Sequence, residues 1–412
     1  MKKIYIFGVG KGKEITQEYI IKGNVEILGY IDNNAERYAD GIDGKKVVHL
    51  EDVEEFDYII VSVMKHRYID EQLSRAGIRR DKIIRFFSFD DAMVEDYWCL
   101  LDKKGWRMEV MSYEFEKNVR PYIYNLIYEL NDRRETIEVT YPKILPAEEA
   151  AKQIIQNHKS LSRFGDYEFE LMQMKRRAKY QVIDQELAQR LREILRTDCE
   201  DILIGIADNY GSLERYTQEA ADDIRIYMRP EVRQEHMNLL DLNKIYYDAY
   251  LSRPYIIYKN KEKARAKFET LKQIWENQDV LIVEGHQTRM GVGNDLLSAA
   301  RSVRRIVAPS ENAFNKYQEI LSCVKKTATD ELILLALGAT ATVLAYDLSL
   351  AGLWAVDIGH LDLEYEWYCS DLKERRDIPY KYVNEINNGN RVSDLPDEFR
   401  LKYEEEIIIN LA

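Results

Sequence analysis

The chain has 412 residues, long enough for two or three domains, and with 46% hydrophobic and 32% charged residues its composition is typical of a globular rather than a disordered protein. Its net charge of -13 disfavours a general nucleic-acid binder, because such proteins carry a basic face. No apolar run reaches the roughly 18 residues of a membrane span, so we expect no transmembrane segment. The four cysteines form no CxxC pair, which fits reduced thiols and a cytoplasmic protein.

Residues 1–88 alternate strand-like and helix-like segments. KIYIFGV, VEILGYID and DYIIVSV are predicted strands, and a helix is predicted after the first of them. Such alternation predicts a small, doubly wound parallel sheet, that is, a Rossmann-like domain.

The turn after the first strand carries part of a nucleotide-binding pattern. Gly8 and Gly10 fit the opening of GxGxxG, and Asp32 ends the next strand, where a ribose-binding acid would lie. Lys13 replaces the third glycine, so the pattern is degenerate. It allows either a nucleotide or nucleotide-sugar site at a helix N-terminus, or a tight turn that binds nothing.

Residues 89–140 are rich in aromatic side chains spaced among charges as in helices: Tyr97, Trp98, Trp106, Tyr113, Phe115, Tyr122, Tyr124 and Tyr128. The spacing predicts a linker of one or two amphipathic helices. These helices either join the domains, make the chain a homo-oligomer through a self-association surface, or pack in a core.

Residues 141–412 resume the alternation of strands and helices. Strands are predicted at 201–206, 279–284, 304–308, 331–337 and 354–358, with a short final strand in EIIINLA. Helices are predicted at 147–157, 184–196, 261–275, 294–300, 312–324 and 340–351. This order predicts a second, larger open α/β sheet, whose ligands would bind beyond the carboxyl ends of the strands.

The stretch SRFGDYEFELM places two carboxylates, Asp166 and Glu168, directly after Gly165 and close to Arg163. Such a pair can share one Mg²⁺ or Mn²⁺ ion, which takes its other oxygen ligands from a diphosphate. The planar guanidinium of Arg163 would meet the phosphates. The alternative is a solvated acidic helix start, which the helix dipole favours.

The segment VEGHQTRMGVGNDLL follows a predicted buried strand with Arg289, Gly291, Gly293, Asn294 and Asp295. The two glycines and a following helix N-terminus would let the backbone approach a phosphate, with Arg289 as a clamp. A turn with a helix cap is the alternative.

Two further strand ends precede predicted helices. Asn312, in IVAPSENAFNKY, is either a nucleoside contact or a helix N-cap. Gly338 and Thr340, in LALGATATVLAYDL, form an anion-binding type of helix start.

The segment WAVDIGHLDLEYEWY carries Asp357, His360, Asp362, Glu364 and Glu366 just past a strand. A histidine among carboxylates suits a general base, so we expect the catalytic base to be His360, Asp357, Asp362 or Glu366. Strand alternation would place Asp362, Glu364 and Glu366 on one face. A solvated acidic edge is the alternative.

Taken in order, the five segments quoted for residues 141–412 resemble the bacterial glycosyltransferases of the GT-D structural class. That family was first catalogued as a domain of unknown function and later tied to glycosylation of serine-rich adhesins. The resemblance runs from about Leu145 to Tyr368. Residues 1–88 resemble, less specifically, the small nucleotide-sugar-binding domains at the start of sugar N-acyltransferases and of some glycosyltransferases.

The resemblance implies a Rossmann-like GT-D fold, a nucleotide-diphosphate-sugar donor (commonly a UDP-sugar), and a divalent metal held at Asp166 and Glu168. Tyr167 departs from the family segment, which more often has glycine there, and would crowd the turn or stack on the donor. The sequence as a whole predicts a cytoplasmic, Mn²⁺- or Mg²⁺-dependent glycosyltransferase for a glycan or glycoprotein acceptor in cell-surface glycan assembly.

Two other classes of function remain open at this point. An NAD(P)-dependent oxidoreductase would act through Gly8, Gly10 and Asp32. A non-catalytic scaffold of a polysaccharide assembly system would use the aromatic residues of 90–140 as its contact surface.

Overall fold

A computed structural model describes residues 1–64, 66–131, 141–175, 181–383, 385, 386, 389 and 392–412. The chain divides into two compact units, Met1–Ile123 and Tyr124–Ala412. Residues 132–140 of the predicted linker lie outside the described residues. Among the helices that can be described, none combines the length and apolar character that crossing a bilayer requires.

The first unit is built on a five-stranded parallel sheet in the order β3-β2-β1-β4-β5. Its strands are β1 (Lys2–Phe7), β2 (Val25–Ile31), β3 (Val47–Val48), β4 (Tyr58–Val61) and β5 (Ile83–Arg85). Helices α1 (Lys11–Tyr19) and α2 (Arg67–Arg75) connect them. Alternate residues of the strands enter two separate cores: Ile4, Ile6 and Ile60 lie in one, and Tyr5, Phe7 and Ile59 in the other. The predicted doubly wound sheet is confirmed.

The aromatic-rich segment that follows is helical where it is described. It contains α3 (Phe89–Ala92), α4 (Lys103–Glu114), a π-helical turn (Phe115–Val119) and α5 (Arg120–Asn131). Helix α4 starts at the N-cap Asp102, whose carboxylate accepts a hydrogen bond from the Gly105 N–H at 3.0 Å.

The second unit is built on a nine-stranded sheet in the order β14-β11-β10-β12-β13-β7-β8-β9-β6, with parallel pairing throughout. Its strands are β6 (Lys143–Leu145), β7 (Ser160–Phe164), β8 (Ile202–Ile206), β9 (Ile245–Asp248), β10 (Asp279–Gly285), β11 (Ser302–Ala308), β12 (Leu332–Ala336), β13 (Ala355–Asp357) and β14 (Ile407–Asn410). The larger α/β sheet predicted from the sequence is thus confirmed.

The helices of the second unit pack on this sheet. They are α6 (Ala147–Asn157), α7 (Asp166–Met172), α8 (Gln185–Arg196), α9 (Gln218–Tyr227), α10 (Pro230–Leu239), α11 (Ala264–Lys272), α12 (Tyr317–Thr327), α13 (Ala339–Leu350), α14 (Leu361–Cys369) and α15 (Asp397–Glu406). Single 3₁₀ turns occur at Ala35–Tyr38, Leu50–Asp52, Arg80–Lys82, Glu95–Cys99, Ala249–Ser252 and Ala313–Lys316.

Strands β7 and β13 meet in the middle of the nine-stranded sheet, and their ladder has one register pair, Val356 with Leu161. Side chains supply further hydrogen bonds at this seam. The Ser160 hydroxyl accepts from the Ala355 N–H at 3.0 Å, and the Ser162 hydroxyl donates to the Thr342 carbonyl of α13 at 2.7 Å. The two halves of the sheet therefore depend on side chains for part of their connection.

One local prediction is wrong, and the condition of another is not met. Residues 294–300 form turns rather than a helix, because Asn294 and Asp295 direct their side chains to distant partners. Residues 361–369 form helix α14 rather than a strand, so Asp362 and Glu366, four residues apart, share one face, and Glu364 does not share it.

Candidate functional site

A cavity of about 540 Å³ opens in the second unit at the carboxyl ends of β7, β8, β9, β10, β12 and β13. This is the edge at which open parallel sheets bind their ligands. Of the residues predicted for the site, the cavity is lined by Arg163, Gly165, Asp166, Glu168, Gly338, Asp357, His360 and Asp362. Strand ends that are far apart in the sequence thus meet at one cavity.

Helix α7 presents the two carboxylates to the cavity. The chain leaves β7 through Gly165, and Asp166 opens the helix. The Glu168 carboxylate accepts the Gly165 N–H at 2.8 Å, whereas the Asp166 carboxylate has no hydrogen-bond partner among the described residues. Burial, with the nearby charges of Asp357 and Asp166, raises the pKa of Glu168 to about 7. Asp166 is therefore the member of the pair that is open to a ligand.

Arg163 and Asp357 join the two halves of the sheet at the cavity. The Arg163 Nε donates to the Asp357 carbonyl at 2.8 Å, and its Nη2 donates to the Asp357 carboxylate at 2.7 Å. The Arg163 Nη1 donates to the Ser252 hydroxyl at 2.7 Å. Gly359 has a φ of 49°, and a methyl group there would collide with the Arg163 guanidinium. Burial raises the pKa of Asp357, and Arg163 opposes that rise.

A second group of charges at the cavity was not predicted from the sequence. Glu385 accepts hydrogen bonds from Arg253, one of them at 3.0 Å, and pairs with the Arg375 Nε at 2.7 Å. Burial alone would raise the pKa of Glu385, but Arg253, His360 and Arg375 hold it well below its usual range. Two more guanidinium groups therefore stand at the cavity.

His360 lies between members of this group. Its Nδ1 is 3.3 Å from the Arg253 Nη2, and its Nε2 is 3.5 Å from the Glu385 carboxylate. Because an arginine can only donate, Nδ1 is the acceptor and Nε2 carries the proton in a neutral His360. The ring is thus held by both nitrogens, and its role as the base stays a prediction.

Asp362 and Glu366, two other candidates for the base, hold a buried lysine. The Lys381 Nζ lies 2.7 Å from a carboxylate oxygen of each. Asn294 also donates to both carboxylates, at 2.9 and 2.7 Å, and the Gly291 N–H donates to Asp362 at 2.9 Å. These contacts tie the glycine turn and the C-terminal segment to α14, which is a structural use of both carboxylates.

The residues predicted to bind phosphate in the glycine-rich segment after β10 are not among those that line the cavity. Arg289 donates through its Nη1 to the carbonyls of Tyr380 and Ser393, at 2.8 and 2.9 Å. Gly293 lies against the Tyr380 ring, and Asp295 pairs with Lys272 and Tyr365. The structure therefore places the predicted phosphate clamp in packing contacts with the C-terminal segment.

Asn312 and Thr340, which were predicted to bind the donor, do not line the cavity, whereas Tyr167 does. The Asn312 side chain accepts from the Val182 N–H at 2.7 Å, and the Thr340 hydroxyl is buried without a partner among the described residues. Tyr167 lines the cavity and donates its hydroxyl to the Gln181 carbonyl at 2.6 Å. Tyr167 therefore forms part of the wall.

Behind Asp166, the partly buried Tyr227 and the buried His236 and Tyr210 form a hydrogen-bonded chain. The Tyr227 hydroxyl donates to the Asp166 carbonyl at 3.3 Å and lies 3.0 Å from the His236 Nε2. The His236 Nδ1 lies 2.8 Å from the Tyr210 hydroxyl, and its ring stacks on Phe169 at 3.9 Å. Nε2 therefore carries the proton, and Tyr210 donates to Nδ1. No sequence motif pointed to this row of hydrogen bonds.

His236 should make the stability of the protein depend on pH. Burial lowers its pKa from 6.5 to about 3, so the unfolded chain takes up a proton near pH 6.5 while the folded protein does not. Its contribution to stability is complete above pH 6.5 and is lost as the pH falls towards 3. The loss reaches about 2 kcal/mol at pH 5. Urea unfolding of wild type and His236→Gln across this range measures the effect.

The His236→Gln variant should lose less stability between pH 7 and pH 5 than wild type does. His286→Gln, at an exposed position, serves as the control and should retain the wild-type slope. An equal slope in all three proteins would contradict the prediction.

In the first unit, the turn after β1 packs as closely against its neighbours as the turn of a GxGxxG motif does, although the third glycine of that motif is absent. Gly12 takes that packing role, because a side chain there would collide with the Ser62 carbonyl. The Lys13 Nζ pairs with Asp43 at 2.8 Å, and the Asp32 carboxylate accepts from the Asn34 N–H at 2.9 Å. Nucleotide binding by Gly8, Gly10 and Asp32 stays a prediction.

Comparison with known proteins gives two family matches. Residues 161–386 match the family described as glycosyltransferase GT-D fold, and residues 1–84 match the family described as C2185-like, N-terminal.

Two curated relatives are streptococcal. The probable glycosyl transferase Gly of Streptococcus gordonii is 36% identical over 273 residues, covering 65% of this chain and 39% of that protein. Glycosyltransferase GlyD of Streptococcus pneumoniae serotype 4 (strain ATCC BAA-334 / TIGR4) is 36% identical over 252 residues, covering 61% of this chain and 31% of that protein. The chain thus spans less than two fifths of the length of these two relatives.

Two solved structures are similar to this chain. One, of domain of unknown function 1792, is described as a distinct glycosyltransferase fold; it has a TM-score of 0.61 and 38% identity, covering 66% of this chain and 96% of that one. The other is a new glycosyltransferase of the same domain type from Streptococcus sanguinis; it has a TM-score of 0.62 and 35% identity, covering 66% of this chain and all of that one. With its parallel sheet and the cavity at its strand ends, this chain belongs to the family of GT-D-fold glycosyltransferases.

Proposed function

We propose that this glycosyltransferase is metal-dependent, takes a UDP-sugar as donor, and transfers the sugar to a glycan or glycoprotein acceptor in cell-surface glycan assembly, working from the cytoplasm. The observation that carries the proposal is the Asp166 carboxylate. It lines the cavity without a hydrogen-bond partner among the described residues, next to the buried Glu168. An acidic group in that position is suited to a cation.

The residues present fit a hard divalent ion that also binds the donor. In the described part of the chain, no group of three or more His, Cys, Asp or Glu side chains could hold a metal by itself. Asp166 and Glu168 would supply oxygen ligands, the chemistry that Mg²⁺ and Mn²⁺ prefer, and the donor diphosphate and water would complete the set. A bound ion would act as a Lewis acid for the departing diphosphate.

The guanidinium groups at the cavity would bind the donor phosphates. Arg163 uses three N–H groups on Asp357 and Ser252, and a guanidinium has five, so two remain for a ligand. Arg253 and Arg375, held by Glu385, add positive charge at the same cavity. Guanidinium groups that carboxylates already hold in place can stabilise the negative charge that develops on the phosphates. They need not reorganise during the reaction.

The acceptor hydroxyl needs a group that takes its proton, and we assign this role to His360, whose Nδ1 would take the proton after giving up its contact with Arg253. Asp357 is committed to Arg163, and Asp362 and Glu366 are committed to Lys381, through contacts of 2.7 Å. His360 has contacts of 3.3 and 3.5 Å with Arg253 and Glu385, and it lines the cavity. A histidine is also suited to proton transfer near neutral pH.

A thermal-shift screen tests the donor and the metal together. UDP-, GDP-, TDP- and CMP-sugars are each added with and without Mn²⁺, because a ligand of the folded state raises Tm. We expect a UDP-sugar to raise Tm only when Mn²⁺ is present, and Asp166→Ala to abolish that rise. A shift that is independent of Mn²⁺ and survives Asp166→Ala would overturn the metal model, and a shift with another nucleotide would overturn the UDP assignment.

A further inference from the structure

The helical segment at the end of the first unit carries an exposed apolar stripe. It consists of Met108, Met111, Phe115, Val119 and Ile123, which expose between 45% and 61% of their surface. They follow one another at intervals of three or four residues, so they lie on one side of the helix. Scattered exposed apolar residues are ordinary, but a continuous row of large ones marks an interaction site.

The same helix is already packed through its other side. Trp106 and Val110 are fully buried in the core of the first unit, and the Trp106 indole donates to the Phe86 carbonyl at 2.7 Å. Tyr113 packs on the Phe87 ring at 5.0 Å. A helix that is apolar on two sides is expected to be covered on both. Here the core covers one side, and the stripe remains exposed.

The π-helical turn at Phe115–Val119 keeps the stripe straight. From Met111 to Ile123 the apolar residues recur every four positions, whereas an α-helix turns once in about 3.6 residues. Over those three turns a regular α-helix would rotate the row by about a third of a circle. The π-turn takes up one extra residue and removes most of that rotation. The π-helical turn and the four-residue spacing of the apolar side chains therefore produce a single flat contact surface.

We propose that this stripe is a self-association surface, and that its partner is the same stripe of a second copy of this chain. If each of the five side chains has on the order of 200 Å² of surface, then half-exposed they offer about 500 Å² per copy and about 1,000 Å² for a pair. That area lies at the lower limit for a specific interface. A two-fold dimer needs only one patch that complements itself, which a flat apolar row provides.

The charges beside the stripe suit a second copy. Residues 103–123 contain five Lys or Arg and three Glu, in a chain whose net charge is -13. Glu116 and Arg120, which already pair at 2.8 Å, place both signs next to Val119. A two-fold axis near that residue would bring Glu116 of one copy towards Arg120 of the other. Residues 103–123 therefore have no excess of negative charge. Two copies of this segment would not repel each other as the acidic remainder of the chain would.

Sedimentation velocity of the full chain at about 1–100 μM, a range that brackets a micromolar Kd, tests the proposal. We expect wild type to shift from monomer to dimer, and Met111→Glu with Phe115→Glu to raise the dimer Kd at least about a hundredfold, since two carboxylates per copy would be buried. The matched control is Leu350→Glu with Leu401→Glu, at positions that are 59% and 68% exposed outside the stripe. It should dimerise like wild type.

Oxidative cross-linking is a second measurement that does not depend on disrupting the surface. In a Cys99→Ser, Cys369→Ser background, which removes the two exposed thiols, Phe115→Cys should give disulfide-linked dimers. Leu350→Cys should not. A wild-type chain that stays monomeric over the whole range, or a stripe variant and a control variant with equal Kd, would overturn the proposal. Thermal melting of each variant verifies that it is folded.

Discussion

Asp166→Asn is expected to lower kcat/KM for sugar transfer by about a hundredfold to a thousandfold, the range of a lost electrostatic contact to the transition state. The substitution keeps the shape of the side chain and removes the charge of a cavity carboxylate that has no hydrogen-bond partner among the described residues. Initial rates of transfer from a UDP-sugar, measured over a range of Mn²⁺ concentrations, give both kcat/KM and the apparent affinity for the metal.

Glu170→Gln is the matched control, because it removes one carboxylate from the same short helix α7 at a residue that does not line the cavity. Its kcat/KM should stay within about threefold of wild type, which corresponds to less than 1 kcal/mol. An Asp166→Asn enzyme with wild-type rates and unchanged Mn²⁺ dependence would refute the role of Asp166.

Arg163→Met is expected to lower the free energy of unfolding by about 3–5 kcal/mol, because it leaves the Asp357 carboxylate as an uncompensated buried charge. Asp357 is 3% exposed, and Arg163 is its ion-pair partner at 2.7 Å. Urea unfolding at pH 7 measures the loss. The variant should also lose transfer activity, since it removes a guanidinium from the cavity.

The double variant Arg163→Met with Asp357→Asn separates the two effects. Removing both charges should restore much of the stability, whereas activity should stay low. Arg301→Met serves as the surface control, because the side chains of Arg301 and its partner Asp279 are 65% and 36% exposed, so the unfolding midpoint should hardly move. Equal stability of the single and the double variant would show that Arg163 does not compensate Asp357.

The sequence predicts much of this fold because buried parallel strands appear as uninterrupted apolar runs. β8, β10, β12 and β13 lie where such runs were predicted to be strands, and β11 was predicted from its apolar second half, Ile306–Ala308. The helix predicted at 294–300 failed for a tertiary reason. Asn294 binds carboxylates of α14 about 70 residues away, and Asp295 pairs with Lys272. These partners are distant in the sequence, so the residues around 294–300 could not have predicted them.

The residues of the candidate site also divide into those that local sequence could predict and those that it could not. Gly338 and His360 were found because each follows a predicted strand, and strand ends converge in this architecture. Arg163, Asp166 and Glu168 were found from the spacing of their charges, since no strand was predicted at β7.

Arg253, Arg375 and Glu385 were missed at the same cavity. Arg253 follows the four-residue, tyrosine-containing strand β9, which was not predicted, and the other two lie in the polar C-terminal region. A strand prediction at Ile245–Asp248 would have drawn attention to Arg253.

The sparse pairing between β7 and β13 has a consequence for the way this protein opens. Amide hydrogen exchange should begin along that line, since cooperative units separate where the fewest backbone hydrogen bonds hold them. The cavity draws Asp166 from one half-sheet and Gly338 and His360 from the other. A sugar donor that contacts both half-sheets would therefore couple two parts of the sheet that otherwise open separately. The enzyme with bound donor would then unfold more nearly as a single cooperative structure.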